Sequence, residues 1–189
     1  MAKTDYTLIL NYYNKSEKLL LHQLDRVFEQ SLPPKYIFGC FLGLPEENLN
    51  LIDLFKDKTK HLDNCFTICS DFNFKYIGRY QVALGAPTEK IVMLDDDRFP
   101  LENYCKAMVS VIEYEECIVQ NYGWQLTRFD GLVRNQNSEN ASKFKAMADQ
   151  CGKYFAIKGD RNPDSAKLIK VDYLCGGMSF RKSSLKYLF

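Results

Sequence analysis

The sequence has no excess of charge of either sign. Lys and Arg number 25 against 24 Asp and Glu, so the 189-residue chain carries a formal net charge of +1. Such a chain has no long-range field that would draw it to nucleic acid or to an anionic membrane. We therefore expect no nucleic-acid partner, and any polyanionic ligand must be held by local groups.

Long apolar runs and paired cysteines are also missing. No stretch approaches the roughly 20 apolar residues of a membrane helix, and residues 1–6 are polar. The seven cysteines are scattered and never spaced as C-x-x-C, so neither a disulfide framework nor a zinc site is indicated. These features predict a soluble, cytoplasmic protein with reduced thiols and no transmembrane segment.

Glycine-rich phosphate loops are absent as well. The segment 11–16, after the first predicted strand, contains no glycine, and G-x-G-x-x-G occurs nowhere. The first absence argues against a sugar nucleotidyltransferase, and the second against a Rossmann dehydrogenase. An aspartyl-phosphate hydrolase would carry its acidic pair after the first strand, whereas the acidic cluster of this chain follows the fourth.

The pattern that is present alternates strands with helices over residues 1–115. Apolar runs predict four strands, at residues 6–10, 36–42, 65–70 and 90–94. The intervening helices are predicted with these inward faces: Leu20, Leu24, Val27 and Phe28; Leu49, Ile52 and Phe55; Ile77, Tyr80 and Leu84; Tyr104, Met108, Val111 and Ile112. Asn14 and Glu17 have the spacing of a capping box, and the fourth helix is predicted over 101–114.

This order predicts an α/β fold with a mostly parallel, doubly wound sheet flanked by helices. After residue 115 the alternation of strands and helices ends. Strands are predicted at 117–121, 124–129 and 168–174, and a polar loop at 135–142. We expect one domain over 1–189, with a nucleotide-binding half at 1–115 and a more irregular acceptor-side half at 116–189.

Three adjacent acids, Asp95, Asp96 and Asp97, directly follow the most apolar strand. Ligands of open α/β sheets bind at the carboxyl ends of the strands. Adjacent carboxylates repel one another, and a divalent cation with a preference for oxygen, Mn²⁺ or Mg²⁺, would remove that penalty. The alternative is a solvated acidic turn that begins the next helix.

Five segments together resemble the inverting GT-A glycosyltransferases, in particular the family-two group. They are LNYYNKS at 10–16, Gln30 before Ser31-Leu32-Pro33, Gly78-Arg79-Tyr80 leading to Ala83, LDDDRFP at 94–100 with its DxD pattern, and VDYLCGGMSFR at 171–181. The chain is also similar to the glycosyltransferase domains of multi-domain proteins of large algal viruses.

The resemblance implies a GT-A fold and a metal-dependent, inverting transfer. The donor would be a UDP-sugar carrying a hexose such as glucose, or a 6-deoxyhexose, and the acceptor a glycan or glycoconjugate. Asn11 and Tyr13 would contact the base or ribose, and Arg79 the phosphates or base. Asp95 would face the ribose, Asp97 would bind the metal together with Asp95, and Asp96 could point either way.

Two departures affect the donor and the general base. The family's aspartate after the second strand is replaced by Cys40-Phe41-Leu42; Asp71, after the third strand, could substitute for it or could cap the next segment. The last acid is Asp172, so the base is either Asp172 or a residue beyond 189. The apolar end at 185–189 favours the second, which makes this the N-terminal piece of a protein with further C-terminal domains.

On the acceptor side, Trp124 could stack on a sugar or fill the core, and Gly176-Gly177 could admit the acceptor or simply form a turn. The alternative function is a non-catalytic module that binds nucleotide sugars or glycans within a larger assembly, because a fold alone does not define an activity.

Overall fold

The computed structural model describes residues 5–114, 117–120, 123–124, 154–158, 167–171, 173–174 and 178–187. Four helices are described: α1 Glu17–Phe28, α2 Asn50–Thr59, α3 Lys75–Gly85 and α4 Tyr104–Tyr114. The strands are β1 Tyr6–Tyr12, β2 Tyr36–Leu42, β3 Cys65–Ser70, β4 Lys90–Asp95, β5 Ile118–Gln120, β6 Gly123–Trp124, β7 Tyr154–Lys158, β8 Lys167–Val171, β9 Tyr173–Leu174 and β10 Met178–Arg181. Short 3₁₀ segments lie at Glu46–Asn48 and Lys182–Tyr187.

Eight of these strands form one sheet in the order β3-β2-β1-β4-β10-β5-β7-β8. The first four run parallel to one another, and β10 is inserted antiparallel between β4 and β5. β5 pairs with β7 in parallel, β8 closes the far edge antiparallel, and β6 pairs separately with β9. The predicted α/β fold, a mostly parallel sheet flanked by helices, is confirmed.

Strand alternation divides the core into two layers. Leu8 and Leu10 of β1 point to the layer formed by α1, α2 and α4, which we call the α1 face. Ile9 of β1 and Met93 of β4 point to the opposite layer, formed by α3 and the segment 182–187, which we call the α3 face. Because β1 and β4 are covered on both sides, their sequences are almost continuously apolar, as expected of central parallel strands.

The start of α1 differs from the predicted capping box. The N-cap is Ser16, and no side chain caps the helix. Asn14 Oδ1 instead accepts a hydrogen bond of 3.1 Å from Asn48, and Glu17 Oε1 accepts one from Asn50. Both side chains therefore join α1 to the segment that begins α2, and the capping-box prediction was wrong.

The predicted inward faces of three helices need correction. Leu49 is 52% exposed because the 3₁₀ turn before α2 places Leu51 inward instead, whereas Phe55 is buried as predicted. Ile77 and Leu84 of α3 are also exposed, at 55% and 57%. In α1, Phe28 is 44% exposed, whereas Leu20, Leu24 and Val27 are buried as predicted.

α3 turns small residues toward the sheet. Ala83 is fully buried, and a Cβ added at Gly78 would lie 2.6 Å from a methyl group of Leu42. Tyr80 and Val82 pack partly buried beside these small residues, whereas Ile77 and Leu84 point to solvent. The helix axis is thereby drawn toward β1 and β2, on which α3 packs.

The later elements agree with the predictions in part. α4 begins at Tyr104 rather than at Leu101, which is 78% exposed, while Met108 and Ile112 are buried as predicted. β5 and β9 fall within predicted strands, and β6 and β8 overlap them. β7 and β10 were not predicted, and the polar loop at 135–142 lies outside the described residues. Within the described ranges, no helix is both long enough and apolar enough to cross a bilayer.

Candidate functional site

The candidate site lies where the strand order reverses. From β1 the chain proceeds outward to β2 and β3, and it then returns to β4 on the other side of β1. β1 and β4 run parallel with Asn11 opposite Asp95, so their carboxyl ends open side by side. In open α/β sheets such a reversal leaves a crevice at the carboxyl edge, which is the usual ligand site.

The strand geometry separates the three adjacent acids. Asp95 ends β4 and follows the alternation of Ile91 and Met93, so it lies on the α3 face. Asp96, the next residue, turns toward the end of β1, and Asp97 lies exposed beyond it. The mutual repulsion expected of adjacent carboxylates is reduced because each acid has a different environment.

Asp95 is paired with Arg79 of α3. Arg79 Nη1 donates to Asp95 Oδ1 at 2.5 Å, and the two side chains are only 12% and 26% exposed. The close packing of Gly78 against Leu42 brings this helix near enough for Arg79 to reach the end of β4. The structure thus joins two of the predicted site residues, with Asn11 across the strand from Asp95.

Asp96 holds the end of β1. Its Oδ2 accepts a hydrogen bond of 3.1 Å from the backbone N–H of Tyr13. Burial raises the pKa of the Asp96 carboxyl, although the N–H groups of Tyr13 and Asn14 and the nearby Lys15 act in the opposite direction. In this structure the Asp96 carboxylate points toward the loop after β1.

Asp97 is the most accessible of the three acids. Its side chain is 55% exposed, and Oδ1 lies 3.3 Å from Arg98 Nε, a surface contact that contributes little. Within the described part of the chain, no three His, Cys, Asp or Glu side chains converge on one point. A divalent ion shared with a diphosphate needs only one or two protein carboxylates, and Asp97 and Asp95 are the candidates for such an Mn²⁺ or Mg²⁺ ion.

The two tyrosines at the end of β1 take opposite roles. Tyr12 is 3% exposed and stacks on Phe41 with ring centroids 5.1 Å apart. Tyr13 is 47% exposed at the carboxyl edge, and Asn11 Nδ2 makes a long hydrogen bond of 3.4 Å to the Leu94 carbonyl. One tyrosine therefore packs in the core, and the other is exposed at the carboxyl edge of the sheet.

Asp71 lies away from this cluster. It follows β3, which is three strands from β4, or roughly 14 Å at the usual strand spacing. The segment before α3 is shaped by other side chains, because Ser70 Oγ accepts from Phe72 N–H and Asn73 Oδ1 accepts from Lys75 N–H. The expectation that Asp71 caps this segment was therefore wrong, and its carboxylate is exposed.

An apolar cavity of about 360 Å³ lies on the α3 face between α3 and the β2–β3 edge. Its lining includes Leu42, Ser70, Phe74 and Gly78 at the carboxyl end, and Phe38 and Gly85 at the other. The cavity therefore reaches the residue before Arg79 but does not include the acidic residues. Cys40, beneath it, is buried, and burial raises the pKa of its thiol to about 12, so this thiol is not a nucleophile.

The predicted acceptor-side residues are described only in part. The backbone of Trp124 pairs with Tyr173 in the small β6–β9 ladder. Asp172, Gly176 and Gly177 lie outside the described residues. Their predicted roles stay predictions.

One residue that supports the site was missed by the sequence analysis. Gln23, on the buried face of α1, donates to the backbone carbonyls of Asp95 at 2.8 Å and of Arg98 at 2.7 Å. The available signal was a polar residue inside the apolar stripe of α1, next to Leu24. A glutamine in that position needs buried partners, and the acidic turn supplies them.

Comparison with known proteins was informative only at the level of structure. No protein-family model matches the sequence, and no curated protein sequence matches it. A mannosyltransferase from Pyrobaculum calidifontis, PcManGT, solved in complex with GDP-Man and Mn²⁺, superposes with a TM-score of 0.57 at 15% identity. The superposed region covers 97% of the present chain and 46% of the mannosyltransferase chain.

A second solved structure, residues 1–349 of TarS from S. aureus, superposes with a TM-score of 0.56 at 16% identity. It covers 96% of this chain and 48% of its own, so the present chain spans about half the length of the structures it matches. Identities this low show the fold and nothing finer. The chain has the α/β fold of these glycosyltransferase structures, with its acidic cluster at the switch point of the sheet.

Proposed function

We propose that this domain is a glycosyltransferase that binds a nucleotide-sugar donor together with Mn²⁺ or Mg²⁺. The observation that carries the proposal is the cluster of Asn11, Arg79 and Asp95–Asp97 at the crevice between β1 and β4. The fold supports it, since one structure with this fold was solved with GDP-Man and Mn²⁺.

Each residue of the cluster would contact a different part of the nucleotide-sugar donor. Asp97, the exposed acid, and Asp95 would hold the metal against the two phosphates. The metal would neutralise negative charge that develops on the departing diphosphate. Arg79 suits the same diphosphate, because its planar guanidinium forms paired hydrogen bonds with phosphate oxygens. Asn11 and the exposed ring of Tyr13 lie where the nucleoside would enter.

The sugar and the base are finer parts of the same proposal. We infer a UDP-sugar with a hexose such as glucose, or a 6-deoxyhexose, transferred with inversion to a glycan or glycoconjugate. The absence of an acid at the end of β2 leaves uracil without its expected partner, and the match to a GDP-Man complex makes GDP the necessary comparison. Asp71 at the end of β3 would accept from the base only if the nucleoside lies along the β2–β3 edge.

Calorimetric titration with UDP and with GDP, each with and without Mn²⁺, tests the donor site. The expected result is binding of one diphosphate that depends on Mn²⁺ and is lost in the Asp97→Asn variant. Asp53→Asn is the matched control, because Asp53 of α2 is 87% exposed and remote from the site. Failure of both diphosphates under every condition would contradict the assignment of Asp95–Asp97.

A second assay separates a transferase from a module that only binds. Wild-type protein should release the nucleoside diphosphate from its sugar when water or an added glycan is the acceptor. Asp172 is the candidate for the general base within this chain, and the favoured alternative is a residue beyond 189. If Asp172 is the base, Asp172→Asn should bind the diphosphate normally and lose release. Binding without release in the wild type would favour the non-catalytic module.

A further inference from the structure

Two buried glutamines hold the segment that connects β4 to α4. Gln23 lies within α1 and Gln30 lies two residues past its end, and they are 0% and 6% exposed. Gln23 binds the start of the connection, at Asp95 and Arg98. Gln30 binds its end, donating to the Leu101 carbonyl at 2.8 Å and accepting from Cys105 N–H at 2.9 Å.

Gln23 fixes the turn that carries the acids. Both protons of its amide nitrogen are used, one for the Asp95 carbonyl and one for the Arg98 carbonyl. Arg98 N–H also donates to the Asp95 carbonyl at 3.0 Å, which closes a turn around Asp96 and Asp97. The backbone on either side of those two acids is thereby attached to the rigid helix beneath it.

The two glutamines differ in how fully they are satisfied. Gln23 Oε1 is buried and has no hydrogen-bond partner among the described residues. Gln30 uses both ends of its amide, since its nitrogen also donates to the Arg26 carbonyl at 3.0 Å. An unsatisfied buried acceptor lowers stability. The unsatisfied Oε1 therefore offsets part of what the two hydrogen bonds of the amide nitrogen contribute, so Gln23 should stabilise the fold less than Gln30 does.

We propose that Gln23 is a positioning residue for the metal and diphosphate site. It holds the Asp95–Arg98 turn in the shape that presents Asp97, so the turn does not have to be ordered when the ligand binds. This inference rests on the proposed function, because it assigns Gln23 to the same site. Ordering a loose turn on binding costs free energy, and a turn ordered in advance avoids that cost.

The test compares Gln23→Met with Gln30→Met. Methionine has nearly the length and shape of glutamine, favours helices and has no donor. Gln23→Met removes the unsatisfied acceptor together with the two hydrogen bonds, so its urea midpoint should fall less than that of Gln30→Met. Binding of Mn²⁺ in the presence of UDP or GDP, followed by the loss of the free Mn²⁺ signal in electron paramagnetic resonance, should weaken about tenfold.

Gln30→Met should behave in the opposite way. It leaves the Arg26 and Leu101 carbonyls and the Cys105 N–H without this partner, so the urea midpoint should fall clearly. Below its unfolding transition, this variant should bind Mn²⁺ and the diphosphate within about threefold of the wild type, because the Asp95–Arg98 turn keeps Gln23. If Gln23→Met does not fold, Gln23→Leu removes the same donors without adding a charge or a new donor.

Three results would overturn the inference. Wild-type protein that binds no Mn²⁺ with either diphosphate removes the proposed function and this inference together. Wild-type binding with equal binding by Gln23→Met removes the positioning role and leaves the proposed function intact. Binding losses that follow the losses of stability equally in both variants would show that Gln23 is only a structural residue.

Discussion

The ion pair between Arg79 and Asp95 is the interaction that most directly joins α3 to the site. We consider a cycle of three variants: Arg79→Met, Asp95→Asn and the double variant. Each single change removes one charge with little change of volume. The cycle therefore isolates the pairwise energy from any other interaction of either side chain.

The expected magnitude follows from the burial of the pair. Exposed ion pairs contribute about 0.2–1 kcal/mol, and removal of one partner of a fully buried pair costs about 3–5 kcal/mol. Arg79 and Asp95 are 12% and 26% exposed, so they fall between these limits. We expect Arg79→Met to cost about 2–3 kcal/mol, since Asp95 is then left partly buried, and we expect a coupling energy of about 2 kcal/mol.

Urea unfolding followed by circular dichroism measures the four free energies of unfolding. The matched control is the same cycle on Arg26 and Glu29 of the first helix region, a pair of similar length, 2.8 Å, whose side chains are 44% and 58% exposed. That coupling should be below about 0.5 kcal/mol. If the coupling of Arg79 to Asp95 is equally small, the pair does not hold α3 at the end of β4 and the reasoning is refuted.

Two further perturbations test the packing and the buried thiols. Gly78→Ala should lower the free energy of unfolding by about 1 kcal/mol despite the better helix propensity of alanine, because the new Cβ would lie 2.6 Å from Leu42. Gly85→Ala is the control, and it should be neutral or stabilising because its new Cβ would have no neighbour within 4 Å. Equal urea midpoints of the two variants would contradict this reasoning. Burial raises the pKa of Cys40 to about 12 and of Cys105 to about 11, from an ordinary 9.0. The unfolded state therefore ionises first, and stability should fall as pH rises from about 9 toward 11, by about 1.4 kcal/mol per pH unit for each thiol. Cys40→Ala should lessen the fall measured in urea at pH 8 and 10.5, and an unchanged fall would count against the raised pKa.

The nucleotide-binding half of the fold was predictable because its strands carry an unambiguous signal. The predicted bounds 36–42 and 65–70 agree with β2 and β3. β4 is a nearly continuous apolar run, which is what burial on both faces requires. Carboxyl ends of parallel strands share one edge, so the order of elements alone brought Asn11 and Asp95 together.

The helix faces were less predictable because the apolar character of a residue does not determine whether its side chain faces the sheet or the solvent. Ile77 and Leu84 have helical spacing, yet they are exposed because Gly78 and Ala83 let α3 approach the sheet on another side. Which face of α3 packs on the sheet depends on the space available over β1 and β2, and the local sequence pattern contains no information about that space. The role of Gln23 was hidden for the same reason, since its partners are backbone carbonyls 72 and 75 residues away in sequence.

The three adjacent acids interact differently in the structure from what their order in the sequence suggests. In sequence, the repulsion among Asp95, Asp96 and Asp97 favours a cation that neutralises them. In the structure, Arg79 pairs with Asp95, the Tyr13 N–H binds Asp96, and Asp97 is open to solvent. The protein itself thus supplies most of the compensation, and we therefore expect folding not to depend on a cation.

The metal ion of the proposed function should therefore bind mainly together with the diphosphate of the donor, and it should contribute little to the stability of the free protein. A chelator such as EDTA should leave the Tm of the free protein unchanged, and Mn²⁺ alone should raise it by less than a degree or so, because one exposed carboxylate and one paired carboxylate bind weakly. Mn²⁺ with the preferred diphosphate should raise the Tm by several degrees, since the phosphates complete the coordination. A large loss of stability on chelation would show that the ion is structural, and the compensation assigned here to Arg79 and the Tyr13 N–H would then be insufficient.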